Sequence, residues 1–211
     1  MGRIFLAAKV VDHPLVKHHL TELRCTDTPS STFRRLIHRL STLLAYEATK
    51  NLTTADRIVQ TPICQTTGQK LDQRIALVPI LRAGLGMVDP VLDLIPDAEV
   101  WHLGLYRDET TAKPVEYYNK LPSDHVDDLG LILDPMLATG GSASSACAAL
   151  TKWGIPNIKL LSIIAAPEGI DVVNRDFPDV ELFVCSIDER LNDQKFIIPG
   201  LGDAGDRIFH T

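Results

Sequence analysis

Five short, almost unbroken apolar runs constrain this chain more than any other feature. They are Ile75–Ile80 (IALVPI), Val100–Leu105 (VWHLGL), Leu129–Asp134 (LGLILD), Ile158–Ala166 (IKLLSIIAA) and Val180–Cys185 (VELFVC). A strand with one wet face alternates apolar and polar residues, whereas a run without alternation needs cover on both faces. Between the runs lie segments with helical spacing: Gly84–Leu94, Ser142–Trp153 and Glu168–Arg175. This alternation predicts an α/β protein with a doubly wound, mainly parallel sheet. Ligands of such sheets sit beyond the carboxyl ends of the strands. The residues at those ends are chemically rich: Arg82 after the first run, Arg107 after the second, Asp134 closing the third and Glu168 after the fourth.

The third end carries the densest signal. In LILDPMLATGGSASS, Leu131–Ser145, an apolar run ends in Asp134 and passes through Pro135, Met136, Leu137 and Ala138 into Thr139, Gly140, Gly141 and Ser142. Glycines let the backbone turn so that several N–H groups converge on one point. The helix that follows presents its own unpaired N–H groups and the positive end of its dipole to that point. Thr139 and Ser142 add hydroxyl donors. This is a phosphate cradle, although TGGS taken alone reads equally well as a connector. Asp134 repels a phosphate and suits ribose hydroxyls or a hydrated metal. The spacing within this loop matches neither GxxxxGK[ST] nor GxGxxG, so it supports neither a P-loop nor a dinucleotide fingerprint.

The remaining sequence sets limits. At 211 residues one domain is expected, with appended pieces. Thr32–Lys50 reads as a helix with Leu36, Ile37, Leu40, Leu43 and Leu44 on one stripe and Arg34, Arg35, His38 and Arg39 flanking it. Ser30, Ser31 or Thr32 is expected to cap its start. Residues 51–74 suit a short hairpin or loop. A net charge of −6 and the lack of a basic stripe argue against nucleic acid as a partner. Cys25, Cys64, Cys147 and Cys185 form no CxxC pair and read as reduced thiols, which fits a cytoplasmic setting. The apolar N-terminal stretch is too short for a membrane span or signal. The histidines show no metal-ligand pattern, and Asp124, Asp127 and Asp128 read as a solvated turn.

The motif DPMLATGGS resembles the phosphate loop of the type I phosphoribosyltransferases, in the form found in the uracil phosphoribosyltransferase family. DHPLVKHHL (Asp12–Leu20), TFRRL (Thr32–Leu36), LLAYEAT (Leu43–Thr49), VPILRAGLGM (Val78–Met87), LYRDE (Leu105–Glu109), AAPEGI (Ala165–Ile170) and IIPGLGDAGDRIFHT (Ile197–Thr211) extend the resemblance over nearly the whole chain. It implies a type I phosphoribosyltransferase fold over 1–211, with an N-terminal helical segment (1–50), a mobile arm (106–122) and a base-binding hood (188–206). The implied activity is pyrimidine salvage: uracil and phosphoribosyl pyrophosphate (PRPP) give uridine 5′-monophosphate (UMP) and pyrophosphate, with Mg²⁺ held mostly through PRPP and water.

By the same resemblance, Arg82 and Arg107 hold pyrophosphate oxygens, and Asp134 fixes the ribose hydroxyls. Pro135 to Ser142 grip the 5′-phosphate, and Asp203 contacts PRPP. Ile197, Gly202, Asp203 and Ala204 recognise uracil. The arm closes over the reacting centre, with Lys120 or Tyr118 assisting, or with Tyr117, Tyr118 and Lys120 serving a subunit contact. The family usually has Tyr where this chain has Phe196. Homodimers or homotetramers and GTP activation are further family properties. Val10–Leu23 is the expected interface segment, and the arginines of the TFRRL helix are the expected effector contacts. The alternative is a catalytically weak PRPP- or nucleotide-sensing regulator of the same fold.

Overall fold

Four of the five runs become strands of a parallel sheet because each is covered on both of its faces. The computed structural model describes residues 8–107, 114–119 and 126–211, and only the backbone of 104–107 and 114–119. In chain order the elements are β1 (Lys9–Val10), α1 (Pro14–Arg24), α2 (Ser30–Ala48), β2 (Thr54–Gln60), β3 (Gln65–Leu71), β4 (Ile75–Pro79), a 3₁₀ turn (Ala83–Met87), α3 (Val88–Leu94), β5 (Glu99–Val100), β6 (Leu103–Arg107), β7 (Pro114–Asn119), β8 (Leu129–Leu133), β9 (Met136–Leu137), α4 (Gly141–Trp153), β10 (Asn157–Ala165), α5 (Pro167–Asp176), β11 (Glu181–Ile187), β12 (Arg190–Leu191), β13 (Ile197–Ile198) and α6 (Ala204–Phe209). The main sheet runs β1-β11-β10-β8-β4-β5, with β9 also on β10. Every pairing in it is parallel.

Alternate residues of the strands point to opposite cores. Ile75, Leu77, Leu131, Leu133, Leu161 and Phe183 pack with α1, α2, α3 and α6. Ala76, Val78, Ile132, Leu160, Leu182 and Val184 pack with α4 and α5. Both faces are therefore dry, as the unbroken runs require. Each fully buried Leu or Ile contributes about 1.5–3 kcal/mol of transfer free energy. Truncating one, such as Leu40 or Leu131, would cost about 2–5 kcal/mol.

Several expectations need correction. VWHLGL is not one strand. Val100 ends β5, the Trp101 N–H donates to Leu77 O (2.9 Å), and the chain then leaves the sheet. Leu103 keeps a single bridge to Ile80, and β6 pairs antiparallel with β7. Arg107 therefore ends a hairpin strand rather than a strand of the main sheet. The segment expected as one helix from Gly84 starts as the 3₁₀ turn. Helix α2 begins after Pro29 with no side-chain cap, so none of Ser30, Ser31 and Thr32 plays that part. In the segment expected as an interface, Val16, Leu20 and Leu23 face the chain's own core while Val10 and Leu15 are exposed. Asp127 is buried, so the acidic turn is not solvated throughout. Residues 51–74 do form a hairpin, β2–β3, exposed along nearly its whole length. No helix among the described residues is long and apolar enough to cross a membrane.

Candidate active site at the carboxyl edge of the sheet

Asp134 follows β8, and its side-chain Oδ1 accepts from the Met136 N–H at 3.4 Å. The residue is half-buried and lines a small hollow. Burial pushes its pKa up to about 7, and the Met136 amide pulls weakly the other way. The chain then adds β9 to β10 and turns at Gly140, whose φ is +81°. That left-handed conformation favours glycine. Space demands it too: a Cβ on Gly140 would lie 2.9 Å from Gly169 O and 3.0 Å from Val172. In turn, a Cβ on Gly169 would collide with Ala138 O. The loop thus rests backbone-to-backbone on the first turn of α5.

Helix α4 starts at Gly141 with Gly140 as its N-cap and no side-chain cap. The N–H groups of its first turn therefore open into a hollow of about 80 Å³ lined by Asp134 and Met136 to Ala143. That is room for a small group such as a phosphate. The expected phosphate-loop residues from Met136 to Ser142 line this one cradle, and Pro135 is buried behind it.

Arg82 follows β4, whose end is held beside β8 by the Ile80 N–H on Leu133 O (2.9 Å). The Leu81–Arg82 peptide is cis. Arg82 Nη2 donates to Asp206 Oδ1 at 3.1 Å. Asp203 is exposed and caps α6, accepting the Asp206 N–H at 2.9 Å. Gly205 lies between them, its would-be Cβ 3.2 Å from Asp203 Oδ1 and 3.7 Å from Arg82 Nη2. Arg82, Asp203 and Asp206 thus gather on the first turn of α6.

The C-terminal loop hangs from a small ladder of β12 and β13. Ile197 and Ala204 are buried, and Gly202 is exposed at φ +80°. Their backbones, not their side chains, are what the loop can offer a ligand. Glu168 is exposed and also bonds within the fold. Its Oε1 accepts the Leu191 N–H at 2.9 Å, a bond that holds its pKa below the ordinary value and ties α5 to the loop. Phe196 is half-exposed at the turn of the ladder.

The Arg107 side chain, the side chains of Tyr117 and Tyr118, Lys120, Asp124 and most of the expected arm lie outside the described residues. The sequence reading missed Asp206, Gly169, Arg24 and Asp188. GDAGD carries a signal for the first of these, since the acid three residues after a cap falls in the first helical turn. Arg24 and Asp188 are 164 positions apart and carry none.

A doubly wound parallel sheet with a phosphate-sized cradle after one strand and a basic loop after its neighbour defines the type I phosphoribosyltransferase class. A purine phosphoribosyltransferase from Pyrococcus horikoshii shares the fold, with a TM-score of 0.50 at 16% identity, covering 72% of this chain and 86% of that one. A protein from Aquifex aeolicus superposes with a TM-score of 0.91 at 40% identity, covering 96% of this chain and 98% of that one. The uracil phosphoribosyltransferase of Roseiflexus sp. is 56% identical over 202 residues, 96% of this chain and 97% of the relative. A family model described as uracil phosphoribosyltransferase matches residues 10–211, and the chain belongs to that family. Nothing in these relatives supports the regulator alternative.

Proposed function

We propose that this chain transfers the phosphoribosyl group of PRPP to uracil, giving UMP and pyrophosphate. One observation carries the reading: the Asp134 cradle, Arg82 and the Asp203 loop stand on one edge of one sheet, where a ribose phosphate, its leaving group and a base need to meet. The 5′-phosphate sits on the amides of Thr139 to Ser142. Asp134 accepts from the ribose hydroxyls once ionised. Arg82, joined by Arg107 from the arm, takes charge as pyrophosphate leaves. The ladder and loop over Ile197–Ala204 present uracil, matching its N3–H and carbonyls with backbone groups. A base of reversed polarity would leave buried groups unpaired, at about 1–3 kcal/mol each. Alignment of two bound substrates supplies the rest. The test is UMP formation from uracil and PRPP. No product with uracil, while another base reacts, contradicts the assignment.

The residues suit Mg²⁺ in one way only. Asp134 is a hard oxygen donor at the cradle mouth, and the described residues contain no group of three or more His, Cys, Asp or Glu that would cage an ion. The ion would thus ride on PRPP oxygens and water, neutralising the leaving pyrophosphate. GTP fits the basic face of α2, where Ser31, Arg34, Arg35, His38 and Arg39 border a hollow of about 460 Å³. A second copy of the chain would cover the β2–β3 hairpin. Ile58 and Ile63 are 68% and 93% exposed there, and a lone two-stranded hairpin is marginally stable. All four cysteines are free thiols, consistent with a cytoplasmic enzyme.

A further inference from the structure

A loop that reads a base with its own N–H and C=O groups has no side chains to lock it. Something else must hold the backbone still. In this chain the holding point is Gly200, at φ +67°, two residues before Gly202. Both of its polar backbone atoms are gripped. The Gly200 N–H donates to Asp188 Oδ2 at 2.9 Å, and Arg24 Nη1 donates to Gly200 O at 2.6 Å. The two gripping side chains are themselves paired, Arg24 Nη1 to Asp188 Oδ2 at 2.7 Å and Nη2 to Oδ1 at 2.5 Å. Ser186 Oγ donates to Asp188 Oδ1 at 3.1 Å.

The clamp is anchored on both sides. Asp188 follows β11, and its own N–H donates to Ala165 O at the end of β10 (2.8 Å). Arg24 is the last residue of α1, whose Leu20 and Leu23 are in the core. The Asp188 side chain is 1% exposed and that of Arg24 22%. A buried, forked ion pair is weak evidence of stability gained, because desolvation offsets its attraction. It is strong evidence of fixed geometry, because Arg presents its donors in a rigid plane.

We propose that Arg24 and Asp188 are positioning residues for uracil: they clamp the Gly200 peptide and so preorganise Ile197–Gly202 without contacting the base, while Asp203 is held separately by its cap on α6. This rests on the reading of that loop as the uracil site. The experiment is steady-state kinetics of Arg24→Lys and Asp188→Asn. Lys keeps the charge and loses the fork. Asn keeps an acceptor for the Gly200 amide and loses the charge. Both are expected to raise KM for uracil by roughly tenfold or more, while KM for PRPP stays within about twofold and circular dichroism is unchanged.

Lys159→Met is the control. It removes a buried cation bonded to Ala48 O and Asn51 at the opposite, amino end of β10, and should leave KM for uracil unchanged. Equal rises in both KM values, no rise in either, or failure of both variants to fold would overturn the proposal. Wild-type protein that makes no UMP would instead remove the function reading beneath it.

Discussion

Arg82 and Asp206, 124 residues apart, form an ion pair at 3.1 Å across the mouth of the site. Their side chains are 60% and 50% exposed, so the pair contributes little to stability. Its consequence lies elsewhere: in the proposed reading it occupies the guanidinium that would meet the pyrophosphate oxygens. Neutralising the competitor in Asp206→Asn should lower KM for PRPP. An exposed pair worth about 0.2–1 kcal/mol corresponds to no more than about fivefold. Initial rates over a range of PRPP concentrations check this, and a rise in KM would contradict it.

Asp134 predicts a stability that opposes function. Its carboxyl is raised from 3.8 to about 7, so the folded protein keeps a proton that the unfolded chain has lost. The group's stabilising contribution is full below the unfolded pKa, declines as pH rises between the two values and is lost above about 7. At ~1.4 kcal/mol per pH unit the ceiling is roughly 4 kcal/mol, reduced by the solvent that reaches the carboxyl. Asp134→Asn should therefore melt above wild type at pH 8, and the difference should shrink toward pH 4. It should also lose most turnover. Melting curves across that range check the trend, and a gap that widens on acidification would contradict it.

Gly140 and Gly169 fix the cradle against α5. Gly140→Ala adds a methyl 2.9 Å from a carbonyl oxygen at a left-handed position. A cost of about 1–3 kcal/mol in stability is expected from the overpacking. The larger effect should be on PRPP, with binding weakened at least tenfold as the amides splay. Isothermal calorimetry with PRPP measures it. Unchanged affinity would take the loop out of the binding site.

Asp203 separates capping from chemistry. Asn caps a helix about as well as Asp, so Asp203→Asn should keep its melting temperature within about 2 °C. Turnover should fall at least about a hundredfold if the carboxylate contacts PRPP. Near-normal turnover would leave Asp203 as a cap and nothing more.

Local periodicity made most of the sheet legible. Ile75–Pro79, Leu129–Leu133, Asn157–Ala165 and Glu181–Ile187 are mostly apolar on both faces, and their short length and the helical segments between them favour covered parallel strands. The cradle was legible for a similar reason, since acid, glycines and helix follow one another within nine positions, Asp134–Ser142. Long-range relations were not legible. Arg24 at the end of a helix reads as a solvated dipole partner, and only the folded chain brings it to Asp188 and Gly200. The break in VWHLGL depends on where Trp101 hands its amide to Leu77, which no pattern in the run records. Asp127 and Asp128 look alike in sequence. One is buried, while the other accepts the Arg74 N–H at a partly open position.

The central claim is that main-chain amides after Asp134, rather than a lysine, hold the sugar phosphate. A crystal soaked with PRPP and Mg²⁺ tests it directly. The account predicts density for the 5′-phosphate in the Thr139–Ser142 hollow with the ribose hydroxyls on Asp134. A fully bound PRPP whose 5′-phosphate lies anywhere else would contradict it.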